Sequence, residues 1–444
     1  MAEFRDQTLY HVPPTKLAGY QAKLLLTEKI DARASTANSG FIYPEYKANC
    51  ISNIPSAILN LMQAQKAQGP LTNRLKIDQK GINKVVLLVV DGFGFNQFLK
   101  YHKQNRFLNS LTEQGEVFPL TSVYPSQTTN ALTTLNTGLT PQEHGLFEYF
   151  IYLKEVGIVN ALRFERIGNK AKSRLVEQGY DPKLMFSGEN IQQKLAKQGI
   201  CTFTHMNQSN AVNACTKLVF EGSTIVSAYK NSDNIVKLRK QIESTSGSGY
   251  FFVHLETLDT ISHEYGPESE EYYAELQAIS YLLQKELVEK ISPQAAKETL
   301  VLMTADHGGV QVDLEKAVYL SLDSEPLVNA QTGLDRKRIL PTGSPRDVFL
   351  HIKEQKLQQT KEALITKIGA RAQILETKQA AESGLFGLGK TSEAFLERTG
   401  NLLIAPYGRE TVWFEHRSGR RINLLGQHGG LHPDEMLVPF AAAK

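Results

Sequence analysis

Apolar runs of strand length recur along the chain, and several stop abruptly at a polar residue. Val85 to Val90 is one, ended by Asp91 and the turn-forming Gly92 and Gly94. A Val-rich run without alternation predicts a parallel strand buried on both faces. Val117 to Val123, Cys201 to Met206, Thr224 to Tyr229, Tyr250 to Leu255 and Thr299 to Thr304 read as further strands. Helix-period segments lie between them: Glu189 to Gln198, Asn234 to Ile242, and Glu268 to Lys290 with Leu276, Ile279, Leu283 and Leu287 on one stripe. Pro125 ends the second strand, and Ser126 can cap a helix that carries Thr128 in its first turn and stops near Gly138. Alternating strands and helices predict an α/β fold, a large mostly parallel sheet sandwiched by helices.

The same reading divides the chain. Residues 1–80 form an N-terminal segment packed on the core, with Pro13-Pro14 early and a short helix from about Pro55 to Met62. Residues 81–342 and 401–444 are expected to make the main α/β unit, and 343–400 a small α+β insertion. The insertion is predicted to hold a strand at Asp347 to His351 and helices at Leu357 to Ile368 and Glu376 to Glu382. Strands at Asn401 to Ala405 and Thr411 to Phe414 then lead to the loop Gly426-Gln427-His428-Gly429-Gly430. The run GLFGLGKT from Gly384 to Thr391 has the spelling of a phosphate-cradling P-loop. It follows polar, helix-like sequence instead of a buried strand, so a Gly-rich surface turn is expected there.

Composition narrows the class. The 444 residues are 41% hydrophobic and 21% charged, as in an ordinary globular protein. Lys plus Arg number 49 against 46 for Asp plus Glu, so no global basic field points to a nucleic-acid polymer or an anionic membrane. No run approaches the ~18 apolar residues of a spanning helix. Cys50, Cys201 and Cys215 lack metal-finger spacing, and their odd number argues against a disulfide framework. A cytoplasmic location is the expectation.

Chemistry enters at the strand ends. Asp91, the pair Asp259-x-x-x-His263, Asp306-His307 and His428 all follow apolar runs or sit in a Gly-rich loop. Each alone has an ordinary explanation as a turn, a cap or an i,i+4 pair. Together they suit two divalent metals, one held by Asp91, Thr128, Asp306 and His307, the other by Asp259, His263 and His428. Coordination would make the Thr128 hydroxyl nucleophilic near neutral pH, and a helix starting beside it would favour a phosphate.

The set VVLLVVDGFG around Asp91, YPSQTTNALTTLNTGLTPQEHG around Thr128, LDTISHEYGP with Asp259 and His263, TADHGG with Asp306 and His307, and GQHGG with His428 resembles the alkaline phosphatase superfamily. Within it the match is to the nucleotide pyrophosphatase/phosphodiesterase, or type I phosphodiesterase, branch. The resemblance implies two metals per chain, usually zinc with manganese the alternative, around Thr128 as the nucleophile. It also implies a small phosphodiester or nucleotide substrate. Sulfatases carry a C/S-x-P-x-R motif that is missing here, and no Arg flanks Thr128 as a monoester clamp would require. One position departs from the branch: where it places a phosphate-binding Asn, this chain has Tyr149, whose phenol can donate one hydrogen bond to an oxyanion. A phosphomonoesterase of the same superfamily and a catalytically silent metal-binding module remain alternatives.

Overall fold

The computed structural model describes residues 40–65, 69–167, 174–321, 325–415 and 421–444. Pro13-Pro14 and most of the N-terminal segment lie outside the described residues. The strands that organise the chain are β1 (Lys84–Val90), β2 (Glu116–Thr121), β3 (Cys201–Asn207), β4 (Thr224–Ala228), β5 (Gly249–Leu255), β6 (Thr299–Thr304), β7 (Thr342–Ser344), β8 (Asp347–Leu350), β9 (Ala372–Glu376), β10 (Leu402–Pro406) and β11 (Leu437–Ala443).

Seven of them form the central sheet, in the order β2-β11-β6-β1-β5-β3-β4. β1 lies at its middle, parallel to both β5 and β6, with Val85 opposite Tyr250 on one side and Leu300 on the other. Every residue of β1 and of β5 is buried, because helices cover both faces of a parallel sheet and the strand interior has no polar side. β11 alone runs against its neighbours, antiparallel to both β2 and β6. The expected sheet is therefore present, with one reversed strand that the hydrophobic pattern did not announce.

The helix predicted after Pro125 is α1 (Thr128–Thr137), closed by Gly138 at φ +75°. Its cap differs from the expectation. Gln127 occupies the N-cap position, while the Ser126 hydroxyl donates to the Gly430 carbonyl at 2.9 Å and ties α1 to the loop of His428. The long helix expected over Glu268 to Lys290 is α-helical from Glu270 to Leu282, and its end widens into a π turn over Leu283–Val288. Leu276, Ile279, Leu283 and Leu287 are all buried on it.

A second sheet has the order β7-β8-β10-β9 and is antiparallel throughout. Its own apolar core includes Val348, Leu350, Leu364, Leu402 and Ile404. Phe349 points the other way, into the main core, against Phe147 at a ring separation of 5.0 Å. Alternation along β8 thus joins the two sheets. The run Gly384 to Thr391 follows the helix Thr377–Glu382 and folds as a turn on the Pro141–His144 helix, with Gln142 Nε2 donating to Gly389 O at 2.6 Å. Among the described residues no helix is long and apolar enough to cross a membrane.

Candidate active site

The carboxyl ends of the central strands deliver the functional groups to one place, as α/β sheets do. β1 ends at Asp91. β5 leads into α2 (Thr257–Tyr265), where Asp259 and His263 share a face one turn apart. β6 runs into Asp306-His307, and Thr128 is the first residue of α1. His428 follows the short strand Gly426–Gln427, which pairs with Val310–Gln311 just beyond His307. Close approach sets one residue type: Gly92 adopts φ +72°, and a methyl there would stand 2.9 Å from Asp259 Cβ.

Two groups result. In the first, His307 Nε2 lies 3.6 Å from Asp91 Oδ1 and 3.3 Å from Asp306 Oδ2. In the second, His263 Nε2 lies 3.2 Å from Asp259 Oδ2 and 3.3 Å from His428 Nε2. Thr128 Oγ1 stands 3.1 Å from His307 Nε2, and the His307 and His428 rings stack at 3.7 Å, so the two groups adjoin. All seven residues predicted from sequence for the metals converge here.

The three imidazoles are oriented alike. Nδ1 of His263 faces Gly426 O at 2.8 Å, Nδ1 of His307 faces Gly308 O at 2.8 Å, and Nδ1 of His428 faces Ser126 O at 3.0 Å. A carbonyl can only accept, so a hydrogen sits on Nδ1, and each Nε2 faces the site, where it offers a lone pair once that nitrogen carries no proton. The carboxylates are similarly prepared. Asp306 Oδ1 accepts from the backbone N–H of Gly92 at 3.2 Å and of His307 at 2.9 Å. Asp306 Oδ2 and Asp91 Oδ1 are buried without a hydrogen-bond partner. Such orphaned oxygens cost about 1–3 kcal/mol each unless something fills the space between them.

Electrostatics agree. Burial, then the charges of Asp306 and Asp259, push the Asp91 carboxyl well above the usual range. Burial also opposes ionisation of Asp259, but His263 and His428 outweigh it and hold that carboxyl below the usual range. For His263 burial works against protonation, yet Asp259 beside it lifts the imidazole to about 9. Burial and the facing His307 lower His428 well below the ordinary value. Three carboxylates and three imidazoles in contact form an arrangement that divalent cations stabilise. The donor set is nitrogen and oxygen without thiolate, which suits zinc or manganese, so the residues fit the metals that the sequence implied.

Two further residues bear on the site. Tyr149 is half-buried, its ring edge-on to Phe150 at 4.8 Å, and among the described residues its hydroxyl makes no hydrogen bond to the two groups. His254, which the sequence reading passed over, donates from Nε2 to Asp91 Oδ2 at 2.9 Å and is itself buried. The signal was a histidine inside the otherwise apolar strand YFFVHL. Because His254 fixes the rotamer of Asp91, His254→Ala is expected to weaken zinc binding ~10–100-fold. Titration against a chromophoric chelator measures this, and an unchanged affinity would show that Asp91 needs no such support.

The family model of type I phosphodiesterase / nucleotide pyrophosphatase matches residues 85–431, from β1 to the loop beyond His428. The chain belongs to this family. It is a hydrolase of the phosphodiesterase class, in a metal-dependent family, and the two groups above are its candidate metal ligands. The fold is shared with murine ectonucleotide pyrophosphatase/phosphodiesterase 5, at 19% identity and TM-score 0.60 over 81% of this chain and 88% of that one. Human ectonucleotide pyrophosphatase/phosphodiesterase 5 matches at 18% identity and TM-score 0.60, over 81% and 87%. An inactive form of the murine protein in complex with AMP matches at 18% identity and TM-score 0.59, over 82% and 88%. No curated protein matches the sequence.

Proposed function

We propose that this phosphodiesterase hydrolyses a phosphodiester or pyrophosphate bond in a small nucleotide-like substrate, with Thr128 as nucleophile. Asp91, Asp306 and His307 would hold one divalent ion beside Thr128, and Asp259, His263 and His428 a second, with zinc foremost. The observation that carries the reading is the place of the Thr128 hydroxyl, at the first residue of α1 and 3.1 Å from His307 Nε2. The AMP complex of the murine relative supports a nucleotide-like substrate.

When bound, the ions would lower the pKa of the hydroxyl and balance the charge that builds on the phosphoryl oxygens. The chain does the rest. The Thr128 hydroxyl gives up its proton to solvent, Oγ forms a bond to phosphorus as the bond to the leaving oxygen breaks, and the departing oxygen takes a proton from solvent. A water then attacks phosphorus, the Oγ–P bond breaks, and the Thr128 hydroxyl is restored with one proton from that water. The first-turn N–H groups of α1 have no partner within the helix and favour the phosphoryl oxygens at its N-terminus. His254 keeps Asp91 in place throughout.

Preference for a diester follows from the guanidinium groups. Arg346 is bound to Glu435 at 2.8 Å and 3.0 Å, and Arg398 donates to the carbonyls of Gly145 and Met185 at 2.8 Å and 2.7 Å. Both are committed to holding loops together, so neither serves as a clamp on a doubly charged monoester. Purified protein with zinc is expected to hydrolyse bis-p-nitrophenyl phosphate faster than p-nitrophenyl phosphate, with close to two metals per chain by elemental analysis. The opposite preference would make it a monoesterase, and neither metal nor turnover would favour a binding module.

A further inference from the structure

Beside the N-cap of α1 lie buried polar groups for which the reaction has no use so far. Glu148 and Asp347 are each fully buried, and their carboxyl groups are hydrogen-bonded to one another. One comes from the loop after Gly145, the other opens β8 in the second sheet. Two carboxylates in contact in a buried place do not both ionise, so the pair keeps at least one proton between them. Glu148 Oε1 and Asp347 Oδ2 have no other partner, which leaves them free for that proton. The remaining oxygens are engaged: the Tyr149 N–H donates to Glu148 Oε2, and the Ser344 hydroxyl donates to Asp347 Oδ1.

The pair is connected to the reacting groups through Gln127, the residue before the nucleophile. Its amide is within hydrogen-bonding reach of both carboxyl groups, and Nε2 lies 3.4 Å from the His428 carbonyl. Ser344 Oγ lies 3.5 Å from the same carbonyl. Space is tight: a methyl on Gly429 would stand 2.5 Å from Gln127 Nε2, 2.6 Å from Asp347 Oδ1 and 2.7 Å from Ser344 Oγ. The other charged and titratable groups facing this corner are the Tyr124 phenol and the Arg346–Glu435 ion pair. Tyr124 stays neutral, raised by burial and then by Asp347, and the ion pair neutralises itself.

We propose that Glu148 and Asp347, sharing one proton, are positioning residues that hold Gln127 and the His428 carbonyl in register, so that Thr128 and the His428 imidazole face the same phosphate. This rests on the reading of Thr128 as nucleophile. When the shared proton leaves, two buried negative charges are in contact and the pair separates. Burial, opposed by hydrogen bonds from Asp347 and the backbone, brings Glu148 up to about 7, and burial with the charge of Glu148 raises Asp347 well above the usual range. A carboxyl raised on folding contributes stability that is complete below its unfolded value and lost as pH rises through its folded value. The loss therefore sets in above the ordinary carboxyl range of ~4, is complete for Glu148 near pH 7, and continues for Asp347 toward the alkaline side.

Glu148→Gln, which keeps the hydrogen bond and cannot lose the proton, separates this role from simple packing. Its unfolding midpoint relative to wild type is expected to rise steadily from pH 6 to pH 9, and its diester kcat to persist where that of wild type declines. Glu148→Ala is expected to lower kcat and zinc affinity ~10–100-fold, as loss of a support behind a ligand does. Parallel midpoints for Glu148→Gln and wild type across that range would overturn the shared proton, and unaltered zinc affinity in Glu148→Ala would overturn the positioning role. Wild-type protein that binds zinc but cleaves no diester would refute the proposed reaction. Unfolding and zinc competition would still judge the pair.

Discussion

Thr128→Ala is expected to reduce diester turnover by at least ~10⁴-fold, the scale seen when a nucleophile that acts as a unit with its activators is removed. Zinc content should stay near that of the wild type, because Asp91, Asp306 and His307 still form one group and Asp259, His263 and His428 the other. Folding should survive as well. Gln127, not Thr128, is the N-cap of α1, and the Ser126 links to Gly430 and Gly429 are untouched. Steady-state turnover with elemental analysis of the same sample checks this. Turnover within tenfold of wild type would remove Thr128 from the chemistry and make water the direct attacker.

Stripping the metals should have an effect of similar size on activity and an additional one on stability. Asp91, Asp259 and Asp306 converge within the site, and two of their oxygens have no partner from the chain. Dialysis against a strong chelator is expected to abolish turnover, and added zinc or manganese to restore it. By linkage, each site stabilises the folded chain by about 2.7 kcal/mol when free metal is a hundredfold above its dissociation constant. The unfolding midpoint should therefore fall by several degrees on chelation. An unmoved midpoint would mean that the carboxylates are neutralised by protons alone.

How much of this was legible in the sequence depends on the kind of signal. β1, β5 and β6 were readable because strands buried on both faces leave unbroken apolar runs, and the residues that end them stand out by contrast. That the ends of these strands share a site follows from the sheet being parallel. β11 was not legible: its sequence LVPFAAA contains a proline, which weakens a strand reading, and three alanines, which favour no strand at all. Its place in the sheet is decided by the tertiary fit between β2 and β6. His254 escaped because one histidine in an apolar strand looks like a satisfied core residue until its partner is known. Glu148 and Asp347 escaped for a different reason. Nothing in either local sequence signals a contact between positions so far apart, and Tyr149, one residue from Glu148, drew the attention that its neighbour merited.

The place of β11 also bears on the order in which the molecule forms. Among the described residues β2, which leads directly to Thr128, joins the central sheet through β11 alone. During synthesis β1 and β5 can pair as soon as residue 255 has emerged, but β2 has no slot until residues 437–443 arrive. Closure over so long a span makes this the slow, late step of folding. Asp91 and Asp259 can therefore come together early, whereas Thr128 is positioned only after residues 437–443 have joined the sheet, and the proposed reaction depends on that pairing.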